Sequence, residues 1–457
     1  MKKFFFTTNN EGIFYLLTEA AKKNLLDKKN NMVESKVIKK KMPSLSFYFF
    51  LINIFITGKI FDARNFGYLK YKNYSVGKHV LAETRSFYIS YQNKIIYFML
   101  RLKLLFSAAR IVDTAISIKD HSAGIFIDHV VYLNGLYFEV FYKNKKIIYA
   151  NGFPKGFFKI NGEKNIKKKI RKTDELFKIN TPKKLTKNQK KQAAFKINRT
   201  LKNPKNIPYL SNANFKKIKN RREFSDVTHV VYAHSFTDAQ LAYGFDGFSD
   251  TEDWLLFTIK ELSKLGSKII IKGHPNFYNF KFGDVSKVDN KIFQRIVRKF
   301  SNNKNLIFIN NPIKNIDLLK QLSKKTILIT HHGTTIFDAN LKKFKIISSS
   351  ETFYKKNIKI CSSWDNIYEY KKLLKLKYNE LTSDYSKILN ISYGLYFDKF
   401  NLYGKYFFIK TINKYIKPKN LKLLDKNLFT NYNITNKTNI ENLVSELALK
   451  IEEINLT

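Results

Sequence analysis

The sequence predicts an α/β protein of two domains, each built on a sheet with parallel strands. Three observations carry that expectation. From 228 to 348, short apolar runs of strand type alternate regularly with 10–15-residue helical patterns, which is the signature of βαβ units. A fainter version of the same alternation runs from 124 to 150. Between the two lies a Lys- and Asn-rich stretch with Pro182, Pro204 and Pro208, the composition of a connector.

In the second half, Thr228–Ala233, Lys268–Lys272, Leu306–Ile309, Thr326–Thr330 and Lys345–Ser348 read as strands. Asp250–Leu265, about 287–300, about 314–323 and a segment from Thr334 read as helices. Ser249-Asp250-Thr251-Glu252-Asp253 ahead of Trp254-Leu255-Leu256-Phe257 is an N-cap with acidic residues in the first turn. In the first half, Gly124–Asp128 and Lys146–Ala150 read as strands and Leu136–Tyr142 as a short helix, while 9–28, 44–57 and 101–118 look helical. The expected division is 1–155 as an N-terminal α/β domain with a helical N-terminal extension, 156–222 as a basic helical linker, 223–415 as the C-terminal α/β domain and 416–457 as a helical tail. In that tail, Asn439–Ile454 reads as an acidic amphipathic helix.

A chain of 457 residues, 44% hydrophobic and 15% aromatic, has enough apolar matter for two cores. Its single cysteine, Cys361, excludes an internal disulfide framework and suits a reducing compartment, hence a cytoplasmic expectation. The apolar run after Met1 stops at Thr7, too short for a signal peptide. The longest one, Phe47 to Thr57, falls short of the roughly 20 residues that cross a bilayer. The net charge of +47 comes mostly from Lys spread along the chain. Nucleic-acid readers concentrate Arg for bidentate contacts, so nucleic acid is not the expected partner. Diffuse charge of this kind suits peripheral contact with an anionic membrane or glycan.

The chemistry-bearing residues sit in loops after the expected strands, where open parallel sheets bind ligands. The first loop is His234-Ser-Phe-Thr-Asp238, followed by Gly244-Phe-Asp246-Gly247; His234 or Asp238 could act as a general base. The second is Lys272-Gly273-His274-Pro275-Asn276, in which an ammonium and an imidazole could meet a phosphate. The third is His331-His332-Gly333-Thr334-Thr335, opening a helix that contains Asp338; free backbone N–H groups and hydroxyls suit an anion, and Asp338 could accept from a sugar hydroxyl. A further strand-to-helix loop, Asp128-His129-Val-Val-Tyr132, would supply the opposite wall of an interdomain cleft, and Arg85 is a candidate for holding an anionic acceptor. The adjacent pair His331 and His332 lacks a third ligand at metal-site spacing, so no metal is expected. GxxxxGK[ST], Asp-x-Asp and GxSxG motifs are missing, which points to charge stabilisation by His, Lys and helix N-termini, with no cofactor.

Lys-Gly-His-Pro-Asn at 272–276 together with His-Gly-Thr-Thr-x-x-Asp at 332–338 resembles the bacterial capsule and surface-polysaccharide biosynthesis glycosyltransferases of GT-B type; bacterial sialyltransferases and Kdo transferases share the His-Pro element. Tyr232-Ala-His-Ser-Phe-x-Asp-Ala and Phe248-x-Asp-x-x-x-Trp-Leu, with Asp128-His129-x-x-Tyr132, are similar to the same group, over about 120–350. The resemblance implies two Rossmann-like domains facing a central cleft, with the acceptor on the N-terminal side and a nucleotide-sugar donor on the C-terminal side. It implies that His274, His332, Gly333, Thr334 and Thr335 contact the donor phosphate and sugar, that Asp338 occupies the position often held by a ribose-binding Glu, and that the product is a capsule or lipopolysaccharide glycan; Lys272, at its strand end, is expected to join them at the phosphate. The Asp-Asp-Gly base motif of sialyltransferases is here reduced to Phe245-Asp246-Gly247, and the glycine usual before the following strand is absent after Asp338. A glycerophosphotransferase-type polymer synthase and a basic binding protein for nucleic acid or anionic glycan are the alternatives.

Overall fold

The structure is a computed structural model that describes residues 3–6, 35–37, 41–87, 93–120, 122–127, 132–144, 147–151, 157–161, 184–203, 215, 224–237, 241, 244–278, 284–352 and 360–397. The expected helices at 9–28 and 439–454, and the tail 416–457, lie outside them. So do His129 and Asp238.

The described strands are β1 (Lys3–Phe6), β2 (Ser35–Val37), β3 (Ser122–Ile127), β4 (Ile147–Asn151), β5 (Phe157–Asn161), β6 (His229–Tyr232), β7 (Ile269–Lys272), β8 (Leu306–Ile309), β9 (Ile327–Thr330), β10 (Ile346–Ser349) and β11 (Ser362–Trp364). The helices are α1 (Leu45–Ile56), α2 (Ala63–Phe66), α3 (Val76–Ser86), α4 (Lys94–Lys119), α5 (Gly135–Lys143), α6 (Lys187–Lys202), α7 (Thr251–Ser263), α8 (Asp284–Lys299), α9 (Asn315–Gln321), α10 (Thr335–Leu341), α11 (Ile367–Leu373) and α12 (Tyr385–Phe397).

The strands form two sheets. The first has the order β2-β1-β3-β4-β5, parallel except for the antiparallel edge strand β5. The second has the order β8-β7-β6-β9-β10-β11 and is parallel throughout. In chain order that is 3-2-1-4-5-6, the doubly wound Rossmann arrangement, whose order reverses between β6 and β9. Every second-half strand and helix expected from the alternation is present within a few residues of its expected bounds.

The apolar runs are continuous because both faces of this sheet are covered, as the four-residue strands β6, β7 and β9, buried at every position, show. Val230, Ile270, Leu328 and Ile346 pack on one side with α6, α9, α10 and α12. Val231, Ile271, Ile329 and Ile347 pack on the other with α7, α8 and α11. Asp250 caps α7 by accepting from the Asp253 backbone N–H at 2.8 Å, as the sequence predicts.

The stretch 156–222 is more than a connector where it is described. Phe157–Asn161 is β5, an edge of the first sheet. Residues 187–202 form α6, started by a Thr186–Gln189 capping box and anchored in the second core through Ala193 and Ile197. Lys and Asn at the exposed positions hid that amphipathic stripe. In the first half, β1, β2, α2 and α3 are additions to the expected elements, and the helix seen at 101–118 begins earlier, at Lys94.

Buried polar contacts tie the first half to the second. The Arg64 guanidinium forks onto Asp253 at 3.0 and 2.7 Å. Arg85 donates to the Phe236 carbonyl at 3.0 Å and lies 3.4 Å from Asp250 and 3.5 Å from Glu252. The Tyr97 hydroxyl donates to Asp250 at 3.3 Å. Arg85, expected as a candidate for an anionic acceptor, is therefore buried among carboxylates of the chain itself.

Candidate functional site

Four of the eight histidines in the chain meet at the C-terminal edge of the second sheet. His234 follows β6, His274 follows β7, and His331 with His332 follows β9. Strands β6 and β9 flank the point where the strand order reverses, and a crevice at that point is where open α/β sheets take ligands. The His234 ring lies 3.9 Å from the His332 ring and 5.7 Å from the His274 ring, centroid to centroid. His332 in turn approaches His331, with 2.7 Å between their Nδ1 atoms. The structure thus joins three separately expected loops into one array.

His331 is the inner end of that array. Its Nε2 lies 3.1 Å from Oδ2 of Asp246. The same carboxylate oxygen accepts from Trp364 Nε1 at 3.1 Å and Ser349 Oγ at 2.5 Å. Burial alone would raise the Asp246 carboxyl; His331 and the hydrogen bonds from Ser349 and the Phe248 N–H outweigh it and hold the group below the usual carboxylate range. With the proton of His331 on Nε2, facing the ionised Asp246, its Nδ1 is an acceptor for the Nδ1–H of His332. Asp246, His331 and His332 thus form an orienting chain that reaches from the core to the strand ends. Gly247, at φ 102°, permits the turn beside Asp246, where a Cβ would press on Ile367 at 3.1 Å.

His332 and His274 are held as neutral groups. Burial pushes His332 well below its ordinary value, helped by the neighbouring His234, His331 and His274. Burial does the same to His274, with His234 and Lys272 adding to it. An anion among them would reverse that balance and favour protonation.

Lys272 ends β7, and its buried side chain shares a face with Tyr232 through register pairing. Burial lowers its ammonium to about 8, against the pull of Asp338. Burial raises Asp338 to about 6, offset in part by Asn315, Lys272 and Lys342. Asn315 donates to Asp338 at 2.9 Å. The Tyr232 hydroxyl and the Asn315 carbonyl oxygen are buried without a hydrogen-bond partner, and such groups are what a polar ligand or water satisfies.

The remaining expected residues are less engaged. Gly333 donates to Thr330 Oγ1 at 3.3 Å and approaches it closely enough that a Cβ would lie 2.8 Å away. Thr334 stands at the N-cap of α10, exposed, with no side-chain cap bond, and Thr335 is the first residue of that helix. With seven residues, α10 is a minor source of dipole beside the imidazoles and Lys272.

Sequence reasoning passed over Asp289. From α8 it accepts from Ser235 Oγ at 2.5 Å, the Phe236 N–H at 3.0 Å and Thr237 Oγ1 at 3.0 Å, pinning the loop that carries His234. Burial raises this carboxyl to about 6 despite those bonds. Nothing in the local pattern of α8 marks Asp289, because its partners lie in a loop before α7.

Among solved structures the chain is similar to the KpsC beta Kdo 2,4 transferase of Thermosulfurimonas dismutans, at 11% identity and a TM-score of 0.33, over 71% of this chain and 88% of that one. It is also similar to the UDP-GlcNAc 2-epimerase of Methanocaldococcus jannaschii in complex with UDP-GlcNAc and UDP. That match has 12% identity and a TM-score of 0.28, over 86% of this chain and 98% of that one. No family model and no curated protein matches the chain. Likenesses this remote carry no weight in assigning an activity.

Proposed function

We propose that this protein is a glycosyltransferase of GT-B type that moves a sugar from a nucleotide-activated donor to a surface-polysaccharide acceptor. The observation that carries the reading is the convergence of His234, His274 and His332 with Lys272 at the reversal point of the second sheet. In this reading the two sheets belong to two Rossmann-like domains, the first taking in β5 and the second taking in α6, so that the expected boundaries at 155 and 223 both move into the 156–222 stretch, and the donor lies on the second.

In the transfer, an acceptor hydroxyl attacks the anomeric carbon, the bond from that carbon to the phosphate oxygen breaks, and the nucleotide leaves with the electron pair. Lys272 and His274 face the leaving phosphate and stabilise its charge, with the backbone at Gly333–Thr335 beside them. The acceptor proton passes to a base. His332, oriented through His331 and Asp246, is the first base in this reading, and His234, its ring 3.9 Å from that of His332 centroid to centroid, is the second. Asp238 and His129 are the other bases to test. Asp338 serves the donor's hydroxyls. The chemistry requires no cofactor, and nucleic acid is not a partner.

Donor turnover tests this. The full-length chain is incubated with CMP-, CDP-, UDP- and GDP-linked sugars and glycan or glycolipid acceptors. The expected result is turnover with one nucleotide class, lowered about a hundredfold or more by His274→Ala with the fold retained. Release of a polyol-phosphate product from CDP-linked donors would favour the polymer-synthase alternative. Near-normal transfer by the variant would overturn the site assignment.

A further inference from the structure

The first half carries an apolar surface that the transfer reaction does not use. Helix α1 contains no charged residue. Only Phe47 and Ile54 of its twelve residues are buried, while Leu45, Phe49, Ile52 and Ile56 are 71%, 66%, 55% and 80% exposed. Those four positions follow the three- and four-residue steps of a helix, so they form one stripe. The start of α4 repeats the pattern, with Ile95 78% and Met99 58% exposed. Phe61 joins the two elements, its ring 5.8 Å from Phe55 and stacked on Phe98 at 5.6 Å. Phe47 lies against Phe106 of α4 at 5.7 Å. The two stripes are therefore parts of one surface.

Its charges are mainly of one sign. No Asp or Glu occurs from Lys41 to Phe61 or from Asn93 to Val112; the carboxylates at its margins are Asp62, exposed beside Phe61, and Asp113, paired with Lys72. Lys41, Lys59, Lys94 and Lys103 are exposed, and Lys103 continues the Ile95–Met99 stripe by one further turn. An apolar face of this size is uncommon on a protein that meets only water. No helix of the described residues is long and apolar enough to cross a membrane, so a role for this face lies at a surface and not through one.

We infer that the α1–α4 face docks on the surface of an anionic lipid bilayer, with its aliphatic and aromatic side chains entering the headgroup layer and its lysines meeting lipid phosphates. Charge decides between this occupant and a second copy of the chain. Two copies meeting through this face would bring the same lysines against one another, whereas anionic headgroups complement them. The inference rests on surface residues alone and is independent of the transferase reading.

Co-sedimentation of the full-length chain with vesicles tests it. Vesicles of phosphatidylcholine alone and of phosphatidylcholine with one part in three phosphatidylglycerol are compared. The wild type should bind the anionic vesicles at least about tenfold better. Because the net charge of +47 would attract anionic vesicles by itself, the decisive variant is Phe49→Ser with Ile56→Ser and Ile95→Ser. It should lose about tenfold in binding with an unchanged circular dichroism spectrum, as exposed positions allow. Lys59→Glu with Lys103→Glu should weaken the preference for anionic vesicles. A wild type that stays in the supernatant, or a serine variant that binds as well as the wild type, would overturn the proposal. So would a dimer in sedimentation velocity that the serine variant dissociates.

Discussion

Asp246 and Asp250 lie four residues apart in one loop, both buried, and the fold puts them to opposite uses. Asp246 faces His331, Ser349 and Trp364, and its carboxyl is held low. Asp250 caps α7 and faces Arg85 and Tyr97, yet burial with Glu252 and Asp253 close by leaves it raised to about 6. One carboxylate orients an imidazole chain at the strand ends; the other helps fasten the first half of the molecule to the second. Their partners come from distant parts of the chain, so residue type and loop position alone do not separate chemistry from architecture.

Substitutions should pull these uses apart. The largest stability effect is expected from Arg85→Ala, which strips a buried charge partner from Asp250 and Glu252. A loss of about 3–5 kcal/mol is expected, read as a lowered urea midpoint. Asp246→Asn should cost less stability, because an amide fits the same space, but it should lower turnover about a hundredfold by releasing the tautomer of His331. If Asp246→Asn proved as destabilising as Arg85→Ala and left the turnover of the folded fraction intact, the contrast would collapse.

A smaller effect concerns pH. Lys272, lowered to about 8, loses its charge as pH rises through that value, and Asp338, raised to about 6, loses its charge as pH falls through that one. Both are charged only between, so turnover should peak between about 6 and 8. Lys272→Arg should move the alkaline limb upward; an unchanged alkaline limb would remove Lys272 from the site. The smallest effect is expected at Thr334→Ala. That side chain is exposed and makes no cap bond, so stability should change by less than about 0.5 kcal/mol, as thermal melting would show.

The second sheet was legible because both its faces are covered. Runs such as Ile269–Lys272 and Ile327–Thr330 then stand out from the helical stripes between them. The first sheet was legible only at β3 and β4, expected at 124–128 and 146–150. Strand β1 is four residues at the start of the chain and pairs with β3, far along it; nothing local marks it. Strand β5 was hidden in a Lys-rich context. At the site, the strand-end histidines were visible from their position after apolar runs. Asp246 was noticed only as a reduced motif, and Asp289 was missed, since each acts on a loop that only the tertiary fold brings near.

Calorimetric titration of the wild type and His274→Ala with UDP, CMP and GDP, in two buffers of different ionisation enthalpy, tests the central claim most directly. An anion meeting His274, which burial keeps neutral, should draw a proton onto it. One nucleotide should therefore bind the wild type with net proton uptake, and His274→Ala should lose both most of the affinity and the uptake. Binding with no proton uptake, or equal binding by the variant, would contradict the placement of the donor phosphate among these histidines.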